Sequence, residues 1–187
     1  MGERQPYVQS DFSAGEFRSR RQKLLELMGE GEVALLAGAA VTGAFDMFRQ
    51  TNEFYYLCGV EVPQAYLVVD GRDRRSRLYP PPRDEKLERS EGAVLSADDG
   101  QRARQVTGVD EVAGYERLFE SLGEMESLWT PLLPGERRQQ CRDVVAHAVQ
   151  VREADPWDDW QSREELFSAR IQKELSGVGL KDLCPLL

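Results

Sequence analysis

The sequence predicts an α/β fold: a mixed β-sheet containing an antiparallel meander and flanked by helices. Two observations carry this expectation. Short apolar runs closed by glycine or proline alternate with longer segments whose apolar residues recur at helical spacing. No internal repeat or low-complexity tract interrupts them, and at ~150 residues per domain the length reads as one domain, or one domain with an appendage. A chain of this size buries roughly 70% of the surface its unfolded form exposes, which makes a core without disulfides or metal.

Ser13 with Glu16 three residues on is a capping box, and Phe12 and Phe17 bracket it as a hydrophobic staple. Phe17, Leu24, Leu25 and Met28 follow at helical spacing before Gly29 and Gly31, predicting a helix over 14–28. The apolar run 33–37, closed by Gly38, suits a buried strand. Segment 53–58 is aromatic-rich and closed by Gly59, which predicts a second strand. Strands over 65–69 and 76–79 follow, joined through Asp70-Gly71 by a loop longer than a two-residue hairpin. These three consecutive strands, 53–58, 65–69 and 76–79, form the expected meander. Pro80, Pro81 and Pro82 end it, since proline donates nothing to a ladder.

The second half is more helical. Segment 98–106 begins with acidic residues, favourable at a helix N-terminus, and 109–112 reads as a brief strand. Tyr115, Leu118, Phe119 and Leu122 mark another helix, ended by Gly123. Leu128-Trp129 is the expected last strand. Helices over 136–151 and 163–175 complete the pattern, the former with Cys141, Val144, Val145, Ala148 and Val149 on one face.

Composition narrows the chemistry. With 24 basic and 33 acidic residues the net charge is −9, which argues against nucleic acid or an anionic membrane as partner. Arg72, Arg74, Arg75, Arg77 and Arg83 are interleaved with Asp70, Asp73, Asp84 and Glu85, as expected of a solvated hairpin tip. The single histidine, His147, stands outside any HExxH or HxH pattern, and Cys58, Cys141 and Cys184 form no CxxC pair. Asp155, Asp158 and Asp159 lack a calcium-loop pattern and sit beside Pro156, Trp157 and Trp160, as at a packed helix start. Asp46, Asp70 and Asp110 fall at strand ends, where a carboxylate-bound magnesium of a nucleic-acid-processing enzyme would need them. Asp70 beside Gly71 is better explained as a turn residue. Phosphate-cradling GxxxxGK[ST] and GxGxxG loops are lacking. The N-terminus has no apolar signal core, and no run approaches the length of a membrane span, so the expected location is cytoplasmic.

The distinctive segment is Phe48-Arg-Gln-Thr-Asn-Glu-Phe-Tyr-Tyr-Leu-Cys-Gly59, in which polar residues feed an aromatic run. Burying Arg49 would need several acceptors, and Gln50 and Asn52 are suited to knitting loop to strand, so the residues by themselves read as a structural corner. This segment, with Pro63-Gln-Ala65 shortly after, resembles the N-terminal domain of Xaa-Pro aminopeptidases and prolidases, the creatinase-like domain of the pita-bread metallopeptidases. Phe17, Arg20, Arg21 and Leu24 resemble that family's opening FxxRRxxL helix, 33–38 its first strand, and 78–84 its proline-arginine-aspartate element. The sequence departs from the family at Ser90 and Glu91, which occupy a turn that commonly holds a tryptophan before Gly92.

The resemblance implies that residues 1–187 are a single non-catalytic N-terminal domain that shapes a substrate cleft and oligomer contacts. Its partners would be the C-terminal catalytic domain, further copies of itself and short proline-containing peptides. Two manganese ions would sit in that catalytic domain, so this chain carries no catalytic residue and no metal ligand. Asp46, Arg49, Gln50 and Asn52 match positions near the inter-domain cleft, while Phe48, Phe54, Tyr55, Tyr56, Gly59 and Pro63 match the structural motif. The alternative is a free-standing interaction or small-ligand binding module on the same fold.

Overall fold

The computed structural model describes residues 8–9, 11–39, 48–123, 125, 127–131, 163–175 and 177–187. Asp46, Cys141, His147, Asp155, Asp158, Asp159 and the expected helix over 136–151 lie outside them.

Helix α1 spans Ala14–Leu27. The Ser13 hydroxyl accepts the Glu16 amide at its start, and the Phe12 and Phe17 rings meet edge to face with centroids 6.1 Å apart, so cap and staple form where the sequence places them. Strands β1 (Glu32–Ala37), β2 (Tyr66–Asp70) and β3 (Arg75–Tyr79) make an antiparallel meander, registered through pairs such as Leu35↔Val68 and Val68↔Arg77. Residues 71–74 form the predicted long loop between β2 and β3.

The sheet is mixed and six-stranded, in the order β4-β3-β2-β1-β5-β6. β4 (Glu111–Val112) runs parallel to β3, β5 (Ser127–Thr130) parallel to β1, and β6 (Gly179–Asp182) parallel to β5. Leu128-Trp129 is therefore not the last strand. β6 was not legible because it is a half-exposed edge of alternating burial, and an edge of that kind carries no continuous apolar signal.

A second correction concerns 53–58, which forms helix α2 (Asn52–Cys58) and not a strand. A strand would send Phe54, Tyr56 and Cys58 to one face. Instead Phe54, Leu57 and Cys58 are fully buried while Tyr56 is exposed, which is helical spacing. Burial by this pattern outweighs the β preference of an aromatic run. The meander consequently uses 32–37 as its first strand, with α2 inserted between β1 and β2.

The remaining helices are α3 (Glu85–Glu91), α4 (Gly100–Thr107), α5 (Leu118–Ser121) and α6 (Arg163–Glu174). Of these, α3 had no counterpart in the sequence reading. Ala34 and Leu36 of β1 pack with Leu24, Leu57, Leu67 and Ala103 on one sheet face, whereas Val33 and Leu35 pack with Val68, Leu118, Leu128 and Ile171 on the other. Both faces of β1 are covered, which is why its sequence is a continuous apolar run and does not alternate. Each of the valine, leucine and isoleucine side chains among these contributes about 2 kcal/mol by leaving water.

Glu32 fastens the far strands to β1. Its carboxylate accepts the Gly29 amide at 2.8 Å, the Ser127 hydroxyl at 2.9 Å and the Trp129 indole at 2.8 Å. The Lys181 ammonium also reaches it, while lying 5.0 Å from the Trp129 ring centroid. Burial would raise this carboxyl, but the bonds from Lys181, Gly29, Trp129 and Ser127 outweigh it and hold the group down at about 2. Because the folded value lies below the unfolded one, Glu32 stabilises fully above about pH 4.5, and that contribution is lost as pH falls through 2. Glu32→Gln is expected to cost about 2 kcal/mol at neutral pH. The gap from wild type should close on acidification, as read from urea unfolding midpoints across pH.

Candidate functional site

The pairings Ala37↔Tyr66 and Tyr66↔Tyr79 bring the ends of β1 and β3 and the start of β2 to one end of the sheet. The parallel pairs add the ends of β4, β5 and β6. At this end the chain leaves β1, returns through Gln50 into α2, and re-enters the sheet by way of 59–65.

Gln50 is the centre of the corner. Its side-chain oxygen accepts the Ala39 amide at 2.6 Å and the Thr51 amide at 3.0 Å, and its nitrogen donates to the Val60 and Val62 carbonyls, both at 3.1 Å. One buried amide thus joins three stretches of loop backbone that no ladder serves. Arg49 and Asn52 point outward and are exposed, Phe48 and Pro63 are half-buried, and Phe54 is in the core. Arg49 is therefore not buried among acceptors.

The aromatic part of the motif is an anchor between helices. The Arg20 guanidinium lies 4.4 Å from the Phe12 ring centroid and 4.6 Å from that of Tyr56, donates to the Tyr56 carbonyl at 3.0 Å, and pairs with Glu16. It fastens α1 to α2 through cation–π contacts and hydrogen bonds. Gly59 closes α2 with φ 64°, and its amide donates to the Tyr55 carbonyl at 2.8 Å. A Cβ there would lie 2.4 Å from Cζ of Phe17, so the position excludes every larger residue for reasons of both conformation and space. Burial raises the Tyr55 hydroxyl and pushes the Cys58 thiol to about 12, which makes Cys58 a packing residue and not a nucleophile.

Beside the corner lies a groove of about 770 Å³, between the turn through Pro63 and Gln64, the proline run Pro81-Pro82, and Lys86 and Arg89 of α3. Its volume falls within the range of small-ligand sites. Arg49, Gln50 and Asn52, expected near an inter-domain cleft, do not line this groove. Helix α3, which lines one side of it, has the almost wholly polar sequence EKLERSE and so no apolar periodicity to announce it. A second, smaller cleft of about 340 Å³ opens by the β2–β3 loop, at the other end of β2. There Arg72 pairs with Asp70 at 2.7 Å, while Arg77 reaches Asp70 at 3.2 Å, Glu111 at 3.3 Å, and Asp73. Burial acts to raise the Asp70 carboxyl, but Arg72 and Arg77 hold it below the usual range. These arginines spend their charge on the protein's own carboxylates.

Among the described residues no group of three or more His, Cys, Asp or Glu is placed to hold a metal ion. Among the described residues no helix is long and apolar enough to cross a membrane.

The sheet, its covering helices and the corner define a domain of the type that opens aminopeptidase P structures. The structure of an E. coli aminopeptidase P with the inhibitor Pro-Leu superposes with TM-score 0.58 at 24% identity, covering 92% of this chain and 36% of that one. A Bacillus anthracis structure assigned to aminopeptidase P gives TM-score 0.69 at 14% identity, covering 93% and 39%. The chain belongs to the aminopeptidase P N-terminal domain family, whose model matches residues 17–128. Among curated relatives, the Xaa-Pro aminopeptidase of E. coli K12 is 32% identical over 123 residues, which are 62% of this chain and 27% of the relative. The mitochondrial intermediate cleaving peptidase 55 of Arabidopsis thaliana is 30% identical over 114 residues, 59% of this chain and 22% of the relative. The chain thus spans about a quarter of the length of these relatives.

Proposed function

We propose that this chain acts as the non-catalytic N-terminal domain of an Xaa-Pro aminopeptidase-like metallopeptidase, which would release the N-terminal residue from short peptides with proline second. The observation that carries this reading is the family match over 17–128 in a chain spanning only 27% of its E. coli relative. In this reading the reacting groups and two manganese ions belong to a C-terminal catalytic domain. The present chain supplies one wall of the substrate cleft, through Asp46, Arg49, Gln50 and Asn52, and contacts between copies in a cytoplasmic oligomer. The exposed Arg49 and Asn52 at the sheet end support a role facing a partner surface. The Gln50 amide, tied to backbone, would hold that surface in shape.

The purified 187-residue chain with added manganese is expected to leave an Xaa-Pro peptide intact, while a gene product continuing past Leu187 should cleave it. Hydrolysis above buffer by the chain alone would overturn the non-catalytic assignment. A stop codon directly after Leu187 would favour the free-standing module.

A further inference from the structure

We infer that α2 stays helical only against α1, locked there by Arg20 and Arg21. Released, residues 54–60 turn into a strand that pairs with the same segment of a second copy. Seven residues are too few to hold a helix unaided. The sequence itself favours the other state. Phe54-Tyr-Tyr-Leu-Cys-Gly-Val60 is apolar or aromatic, uncharged and free of proline, the composition of a segment that stacks in register as β-structure. Glu53 and Glu61 bracket it, the placement of charges that keep an apolar run from self-association.

The lock closes on the carbonyl end of α2, where a helix leaves acceptors without intrahelical donors. The Tyr56 carbonyl accepts Arg20 at 3.0 Å and the Leu57 carbonyl accepts Arg21 at 2.7 Å. Two adjacent residues of α1 thus supply donors that α2 lacks. At the other end Thr51 makes no side-chain cap. The Arg20 guanidinium also lies over the Tyr56 ring, and 5.2 Å from the Phe17 centroid, so it covers the face that a stacked strand would use. Just beyond α2 the backbone is already strand-like: Val60 makes an antiparallel bridge to Val8, and the Gln9 amide donates to the Gly59 carbonyl at 3.1 Å. That bridge fills, from within the chain, a pairing that a second copy would otherwise take. Because Gln50 accepts the Thr51 amide, release of α2 would loosen the corner as well.

The test incubates the 187-residue chain and its variants in urea below the unfolding midpoint, following thioflavin T fluorescence and amide hydrogen exchange. Urea is set so that each protein has the same global unfolding free energy. Arg20→Ala should exchange the amides of 55–59 faster and associate about tenfold faster than wild type, the effect of losing one hydrogen bond and one cation–π contact. Arg20→Lys should fall between the two. Ile171→Ala opens a cavity on the opposite sheet face and leaves the lock intact, so it should associate at the wild-type rate. Tyr56→Glu places a charge at an exposed position of the segment and keeps a good helix former. It should abolish association with or without Arg20, since in-register copies would repel. Amides protected in the associated material should centre on 54–60. Association of Arg20→Ala no faster than that of Ile171→Ala, undiminished association of Tyr56→Glu, or protection centred elsewhere would overturn the inference. Should Arg20→Ala fail to fold, Tyr56→Glu against wild type still decides it.

Discussion

Replacing Arg21 with alanine is expected to lower the unfolding free energy by about 3–5 kcal/mol, enough to leave much of a marginally stable domain unfolded. Arg21 is a fully buried side chain on the core face of α1. Its guanidinium donates to the Leu57 carbonyl at 2.7 Å, the Thr107 carbonyl at 3.1 Å and the Ser76 hydroxyl at 3.1 Å. Ser76 in turn donates to the Asp110 carboxylate at 2.8 Å. The two carbonyls belong to the last turns of α2 and α4, where the helix leaves acceptors without intrahelical donors. One forked cation therefore satisfies the ends of two helices and ties both to β3.

Burial works against its charge, lowering Arg21 to about 10 although Cys58 and Asp110 act to raise it. The hydrogen bonds, and not the charge itself, carry the stabilisation. Arg21→Met should accordingly fail to rescue, because it fills the volume and strands the acceptors. Arg21→Lys, a point donor without the planar fork, should recover only part. Equilibrium urea unfolding of the three variants measures the ordering, and a stable Arg21→Met would show that the acceptors find water.

Gln50→Leu is expected to cost about 2–4 kcal/mol, since it keeps the volume but orphans two buried carbonyls and two amides. Its neighbour provides the contrast. Arg49→Ala should change stability by less than about 0.5 kcal/mol, as expected of an exposed side chain with no structural role. In an enzyme extended past Leu187, Arg49→Ala should nonetheless raise KM if the corner faces the cleft. Denaturant midpoints and steady-state kinetics separate the two effects. Equal destabilisation by both substitutions would show that the corner does not depend on the Gln50 amide.

Much of the fold was legible because its signals are local. Ser13, Glu16, Phe12 and Phe17 announce the start of α1 within a few residues, and the apolar run of β1 announces a strand covered on both faces. At the motif the same kind of reading failed. Seven residues of α2 are too few for a periodicity count to decide between helix and strand, and the Phe-Tyr-Tyr run has β preference. The resemblance to the aminopeptidase P N-terminal domain was nevertheless carried by this segment, because the side-chain pattern is distinctive whatever the backbone does.

Local signals in the residues established the α/β class, the two strands over 65–69 and 76–79, the opening helix and the family. These depend on periodicity, caps and turn residues, which act over a few positions. Packing in three dimensions settled the rest: that Arg21 is buried, that the Gln50 amide bonds four backbone groups, that β6 joins the sheet, and that a groove opens beside Gln64. The reason is common to all four. Each depends on which backbone donors and acceptors, distant along the chain, are left without partners once the strands and helices have packed, and residue pattern alone does not reveal those.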